Sequence, residues 1–168
     1  MKNTKIKLRA MEPEDLDELY AIENDRSIWK VGQTNVPYSR YALHDYIAHS
    51  SADIYADRQV RMMITSERQT VGIVDVVNFD PTHRRAELGI VIKEPFRGQG
   101  YATATLAAIC DHARRIWHMH QLYVVVDESN KTSVNLFRKH GFTVESCLHD
   151  WLFDGTEYHD ALLMQTFL

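Results

Sequence analysis

The chain has 168 residues, of which 45% are hydrophobic and 25% are charged, and its formal net charge is −4. These values are ordinary for one soluble globular domain over 1–168, and an acidic balance without a basic block argues against nucleic acid as the main partner. Because no apolar run approaches the ~20 residues of a membrane span and no secretory segment opens the chain, we expect a cytoplasmic protein without a membrane partner. Cys110 and Cys147 lie far apart and match no metal spacing. His149 and His159 could face each other across the last predicted hairpin and hold a metal ion, but lone surface histidines are commoner, so we expect no metal site.

Hydrophobic periodicity predicts a mixture of strands and helices along the whole chain. The strands are predicted at 5–9, 61–65, 70–79, 84–92, 121–126, 144–153 and 158–167. The helices are predicted from Glu12 onward, where Pro13 and neighbouring acids favour a helix start, and at 42–50, 102–117 and 133–140. The segment 25–41 is expected to be a loop or a short helical turn.

The order of these elements defines the expected fold. Three antiparallel strands precede residue 93, and a strand–helix–strand crossover then makes the fourth and fifth strands parallel neighbours. Asp154-Gly155 is a strong hairpin signal between the last two strands. The sequence therefore predicts an α+β domain with one mixed, mostly antiparallel central sheet of about seven strands, flanked by about four helices.

A glycine-rich turn follows the fourth strand directly. The run Ile90, Val91 and Ile92 leads through a short polar turn into the sequence Arg97-Gly98-Gln99-Gly100-Tyr101-Ala102. Bare N–H groups at a helix start, aided by the helix dipole, form a seat for an anion such as phosphate. The dinucleotide and Walker fingerprints both fail here, because a third glycine and a Lys-Ser/Thr pair are missing. The alternative is a strand-to-helix connection that binds no ligand.

The spacing Arg-x-x-Gly-x-Ala after a strand resembles the pyrophosphate loop of the GCN5-related N-acetyltransferases (GNAT), which seats acetyl-coenzyme A. A second motif of that family, an Asn before a helix that ends in Gly-Phe, is similar to Asn130, Ser133, Leu136-Phe137, Lys139 and Gly141-Phe142. Shorter strings at 83–87, 122–127, 138–139 and 153–155 resemble its bacterial spermidine/diamine N-acetyltransferase branch. The resemblance covers nearly the entire chain.

The resemblance implies how acetyl-CoA, the cosubstrate, would bind. The fourth and fifth strands would splay apart, and the pantetheine arm would bond to the backbone of Ile90, Val91 and Ile92, whose side chains stay in the core. The pyrophosphate would meet the loop formed by Gly98, Gln99, Gly100, Tyr101 and Ala102, with added charge from Arg97. Asn130 and Asn135 would face the other side of the cofactor. Arg97 as a plain surface cation and Asn130 as a helix N-cap are the alternatives.

The implied activity is transfer of an acetyl group to a primary amine of a small molecule, first of all a polyamine such as spermidine, by direct attack in a ternary complex. Acetylation of protein N-termini, as in ribosomal proteins, and a non-catalytic acetyl-CoA-binding module are the alternatives. Relatives are commonly dimers or larger homo-oligomers, and the resemblance implies the same here.

The catalytic residues are where the sequence departs from the family. Phe137 stands where relatives place a tyrosine that acts as general acid, and a phenyl ring has no proton to give. Tyr101 or Tyr123 could substitute, or the thiolate could leave through water. Asp75 and Glu87 are the candidate bases, with Asp127 as a further possibility. The acids that polyamine relatives carry in the first loop are missing, because Asn35-Val36 precede Pro37.

Overall fold

The computed structural model describes residues 4–29, 36–51 and 53–168. Its strands are β1 (Lys7–Ala10), β2 (Val60–Ser66), β3 (Gln69–Asp80), β4 (Arg85–Ile92), β5 (Gln121–Asp127), β6 (Thr143–Phe153) and β7 (Tyr158–Phe167). Its α-helices are α1 (Leu16–Glu23), α2 (Arg26–Trp29), α3 (Arg40–His49), α4 (Ile54–Asp57), α5 (Tyr101–Arg115) and α6 (Lys131–Lys139). The strands form one mixed sheet in the order β1-β2-β3-β4-β5-β7-β6.

This architecture confirms the predicted α+β class and the sheet of seven strands. The four predicted helices correspond to α1, α3, α5 and α6, but the count of about four was too low. Two further helices, α2 and α4, have four residues each, which is too short for a helical period to be visible in a sequence. Helix α2 is a short helical turn, one of the two alternatives expected for 25–41, and 30–35 of that segment fall outside the described residues.

The chain divides into two compact units. The first unit comprises 1–75 and 90–105, and the second comprises 76–89 and 106–168. The candidate site residues are divided between the two units.

The first unit contains the antiparallel pair β1–β2, in register from Lys7↔Thr65 to Ala10↔Met62. Its core cluster of Ile22, Met63 and Ile73 is almost fully buried and packs against partly buried apolar side chains, namely those of Met11, Ile28 and Val91. At Gly72 a Cβ atom would lie 2.1 Å from the carbonyl oxygen of Val91. Only glycine therefore lets the backbone of β3 lie so close to β4.

The second unit contains the parallel pair β4–β5, with the register Arg85↔Gln121 to Glu87↔Tyr123. β4 continues for five residues beyond the last of these pairs. β5 pairs with β7 along its whole length, and β7 pairs with β6 across two register shifts. The β6–β7 hairpin closes at Asp154-Gly155, as predicted, with Gly155 at φ +99°.

In the part of the chain that the structure describes, no helix combines the length and the apolar character that crossing a bilayer requires.

Candidate active site

The glycine-rich turn joins the end of β4 to the start of α5 within the first unit. A single 3-10 turn, Glu94–Phe96, follows β4, a turn over 97–100 comes next, and α5 begins at Tyr101. Gly98 and Gly100 have φ angles of +72° and +88°, in the region that side chains with a Cβ atom disfavour. The two glycines are therefore what allows the chain to reverse here within so few residues.

The N–H groups of this turn are available to a ligand. The N–H groups in the first turn of an α-helix have no carbonyl partner inside the helix. The backbone hydrogen bond that closes α5 here runs from Ala104 N to Gly100 O, at 3.0 Å, and among the described residues no loop or capping backbone hydrogen bond has a donor N–H from 98–103. Because α5 has 15 residues, its dipole adds a positive potential at this end. The turn has the composition and geometry of an anion seat.

Three side-chain hydrogen bonds hold the turn in place. Arg97 Nε donates to the Ile92 carbonyl at 3.0 Å, and Gln99 Nε2 donates to the Pro95 carbonyl at 2.8 Å. The Thr4 hydroxyl donates to the Gln99 carbonyl at 3.0 Å. Each bond uses a carbonyl as acceptor and leaves the N–H side of the turn unobstructed. These bonds therefore tie the carbonyl side of the turn to neighbouring side chains.

A cavity of about 180 Å³ adjoins this turn in the first unit. Its apolar wall includes Ile22, Ile28 and Val91, and carboxylates and cations lie at its rim, namely Asp25, Lys93, Glu94 and Arg97. Lys93 is not free to serve an anion, because its Nζ lies 2.6 Å from Glu18 Oε2. Of these two cations, Arg97 is therefore the one that the turn itself positions, although its Nε already donates a hydrogen bond to the Ile92 carbonyl.

Asp75, a candidate base, forms an ion pair with Arg61 through both of its oxygens. Arg61 Nε and Nη2 lie 2.6 and 2.9 Å from the two carboxylate oxygens of Asp75, and Arg61 Nη1 also pairs with Glu23. The three side chains are mostly buried, and the guanidinium lies 5.5 Å from the ring centroid of Tyr46. Burial opposes the charge on Arg61, but the two carboxylates outweigh it and raise the pKa of the guanidinium.

Glu87, the other candidate base, has a different environment, in the second unit. Asn78 Nδ2 donates to Glu87 Oε2 at 2.9 Å, and Glu87 lies opposite Tyr123 in the β4–β5 register. Burial, together with the negative charge of Glu87, raises the pKa of the Tyr123 phenol. Among the described residues no cation forms an ion pair with Glu87, whereas Arg61 engages both carboxylate oxygens of Asp75.

The second predicted motif begins at the N-terminus of α6. The Asn130 side chain accepts a hydrogen bond from Ser133 N at 3.1 Å. Asn130 is therefore the N-cap of α6, which is one of the roles that the sequence left open for it. Asn135 is exposed, whereas the Phe137 ring is 6% exposed and packs edge-on against Phe142 at 5.2 Å. The roles of these three residues towards a cofactor stay predictions.

Comparison with known proteins agrees with this geometry. Residues 5–143 match the family described as Acetyltransferase (GNAT) domain. The chain is 30% identical to spermidine N(1)-acetyltransferase of Escherichia coli (strain K12), over 96% of this chain and 86% of that protein. It is 24% identical to a putative ribosomal N-acetyltransferase of Bacillus subtilis (strain 168), over 95% of this chain and 90% of that protein.

A solved structure adds the fold. The crystal structure of spermidine N-acetyltransferase from Vibrio cholerae in complex with CoA and spermine superposes with a TM-score of 0.86 at 27% identity, covering 98% of this chain and 96% of that one. The chain therefore belongs to the GNAT family of acetyltransferases, as its two motifs indicated.

Sequence reasoning missed the partners that decide what these residues can do. The pairing of Asp75 with Arg61 could have been found from opposite charges on consecutive strands of a predicted hairpin. The second carboxylate on Arg61, Glu23, comes from α1 and leaves no such local signal. The anchoring role of Thr4 is equally invisible, because 95 residues separate it from Gln99.

Proposed function

We propose that this protein transfers an acetyl group from acetyl-CoA to a primary amine of a polyamine such as spermidine, by direct attack in a ternary complex. The observation that carries the proposal is the preformed N–H turn between β4 and α5, in a GNAT chain whose relatives over nearly its full length include spermidine N-acetyltransferases. Acetyl-CoA supplies the activated acyl group.

The turn fits the diphosphate of this cosubstrate. The N–H groups of Gly98, Gln99, Gly100, Tyr101 and Ala102 would donate to the phosphate oxygens, and Arg97 would add positive charge. The backbone of Ile90, Val91 and Ile92 would bond to the amides of the pantetheine arm, as an extended peptide adds to a strand. A backbone N–H next to Val91 would polarise the thioester carbonyl.

Proton transfer limits which residues can act as base. An alkylammonium has a pKa near ~10, so a proton must leave before the nitrogen can attack. We assign this step to Glu87, acting through water, rather than to Asp75, because Arg61 engages both oxygens of Asp75. Asp75 then serves as a positioning residue that keeps the buried Arg61 charge neutralised.

The acid that protonates the departing thiolate is not a tyrosine at 137. Phe137 provides an apolar surface against Phe142, and water protonates the thiolate in its place. The missing hydroxyl also supports a second candidate function, a module that binds acetyl-CoA without turning it over. N-terminal acetylation of a ribosomal protein is a third candidate, supported by the similarity to the Bacillus subtilis protein.

Two further properties are proposed with the function. Trp151, Phe153 and Tyr158 near the tip of the β6–β7 hairpin are each about 60% exposed, which is unusual for large aromatic side chains and typical of a surface that a second copy covers. We therefore propose a homodimer or a larger homo-oligomer. We also propose a cytoplasmic location.

A panel of acceptors tests the proposed activity. Thiol release from acetyl-CoA is measured with spermidine, spermine, amino acids, aminoglycosides and N-terminal peptides of ribosomal proteins. We expect the highest kcat/KM with a polyamine. If the highest kcat/KM is found with the peptides, the substrate is a protein N-terminus and not a polyamine. If acetyl-CoA binds saturably but no acceptor causes thiol release, only the proposal of a non-catalytic binding module is left.

Matched carboxylate variants separate the base from the positioning residue. We expect Glu87→Gln to lower kcat by about 100-fold, the lower end for general base catalysis, with little change in stability. Asp75→Asn should do the reverse: it leaves kcat within a few-fold and lowers the free energy of unfolding by about 2 kcal/mol, because Arg61 loses charged hydrogen bonds to Asp75 but keeps Glu23. Steady-state kinetics and urea unfolding measure both. A large loss of kcat in Asp75→Asn at a temperature where it is folded would reverse the assignment.

A hydroxyl at position 137 should restore the acid that relatives use. We expect Phe137→Tyr to raise kcat several-fold, because a phenol beside the departing sulfur would give it a proton. The matched control is Phe167→Tyr, which adds the same hydroxyl at an exposed position outside the proposed oligomer surface. An unchanged or lower kcat in a Phe137→Tyr protein with the melting temperature of the parent would argue against an acid role at this position.

A further inference from the structure

A thiol, an imidazole and a carboxylate meet on the β6–β7 hairpin, in the second unit. Cys147 and His149 lie on β6 and Asp160 lies on β7. His149 Nδ1 is 2.8 Å from Asp160 Oδ2, and Cys147 Sγ is 3.7 Å from that oxygen and 3.9 Å from His149 Nδ1. These are three different metal-binding atoms in one cluster.

The strand pairing explains why these side chains converge. Cys147 pairs with Leu162 and Leu148 pairs with Ala161, so Asp160 comes opposite the residue that follows Leu148. The register then shifts before Leu152, and Asp150 takes a left-handed conformation with φ 51°. Asp150 N donates to Asp160 Oδ1 at 2.9 Å. This bond fixes the carboxylate and directs its other oxygen, Oδ2, towards His149 and Cys147.

The triangle of ligand atoms has nearly the dimensions of a zinc site. Tetrahedral Zn²⁺ bonds to sulfur at about 2.3 Å and to nitrogen and oxygen at about 2.0–2.1 Å, which puts pairs of ligand atoms about 3.3 to 3.6 Å apart. The two distances to sulfur, 3.9 and 3.7 Å, exceed this range by a few tenths of an ångström. The third distance is shorter because His149 and Asp160 share a hydrogen bond, which a metal ion would replace.

The donor set and the charge select the metal. A thiolate with an imidazole suits zinc and disfavours hard cations such as Ca²⁺ and Mg²⁺. The carboxylates of Asp150 and Glu128 add negative potential around His149, which attracts a divalent cation. His149 is exposed and Asp160 is one-third exposed, so an ion from solvent can reach the cluster without opening the fold.

We propose that Cys147, His149 and Asp160 bind a zinc ion and leave the fourth position to water. On binding, the Cys147 thiol releases its proton to solvent and its sulfur bonds to zinc as the thiolate. His149 binds through Nδ1 as the neutral imidazole, with its proton on Nε2. Asp160 Oδ2 gives up its hydrogen bond with His149 and bonds to the zinc ion instead. None of these residues takes part in the proposed acetyl transfer, so the site stands independently of that function.

A zinc titration of the untagged, metal-free protein tests the site. The protein competes with a chromophoric chelator for Zn²⁺, and we expect one zinc per chain with micromolar or tighter affinity. Cys147→Ser and His149→Ala should each weaken binding by at least about tenfold, because each removes one of three ligands. Cys110→Ser and His159→Ala, which alter a cysteine and a histidine outside the cluster, should bind zinc like the parent chain.

Cobalt substitution identifies the ligands directly. We expect Co²⁺ to give a thiolate-to-cobalt charge-transfer band in the parent protein and in Cys110→Ser, and no such band in Cys147→Ser. Far-UV circular dichroism establishes that each variant is folded. The proposal is overturned if the parent protein binds no zinc at micromolar concentration, if Cys147→Ser keeps the parent affinity, or if the cobalt band is absent or survives the loss of Cys147.

Discussion

The proposed function depends on the backbone N–H groups between β4 and α5 that have no hydrogen-bond partner in the secondary structure. A helix cannot pair its first N–H groups internally, and most proteins satisfy them with a capping side chain. In this chain, hydrogen bonds from Arg97, Gln99 and Thr4 engage carbonyl groups on the turn and around it. These hydrogen bonds leave the N–H donors of the turn unused, and the proposed function assigns them to the diphosphate of acetyl-CoA.

Two cations of the first unit, Arg61 and Lys93, are paired with carboxylates. Arg61 is held between Asp75 and Glu23 away from solvent, and Lys93 at the cavity rim is paired with Glu18. The pairing of Asp75 with Arg61 is the reason why Asp75 is not the proposed base. Glu87 is hydrogen-bonded to a neutral amide instead, and it is the proposed base for that reason. In the proposed mechanism the partner of a carboxylate, more than its position in the motif, therefore decides its role.

The strands and the glycine turn were predictable because their signals are local. The β-branched run at Ile90–Ile92 predicts a strand, and the glycines at 98 and 100 predict a turn. Each signal is complete within a few residues, and the structure has the strand and the turn there. The four-residue helix α4 is too short to show a helical period in the sequence, and α2 was expected only as one alternative, a short helical turn, for 25–41. The ion pair of Asp75 with Arg61 depends on how two strands and a helix come together.

The Cys147–His149–Asp160 cluster shows the same limit most clearly. A search of the sequence for metal-ligand spacings recognises ligands that lie close together in one segment. It found no such spacing around the two cysteines. Here the third ligand comes from the paired strand, where Asp160 lies next to Ala161, the residue that pairs with Leu148. The register of two strands carries no sequence signature as plain as a glycine pair, so only the folded hairpin reveals the cluster.

Calorimetric titration of acetyl-CoA into the parent protein and Gly100→Ala tests the central claim most directly. A Cβ at position 100 meets a φ of +88° and lies 3.1 Å from the Thr4 hydroxyl, so the N–H turn must distort. We predict saturable binding to the parent and a Kd raised at least about tenfold, or about 1.4 kcal/mol, in Gly100→Ala, with no such difference for S-acetyl-pantetheine, which lacks the diphosphate. Gly155→Ala, which also alters a glycine of positive φ, should bind like the parent. Equal acetyl-CoA affinity in the parent and Gly100→Ala, or no saturable binding to the parent below millimolar concentration, would contradict the account.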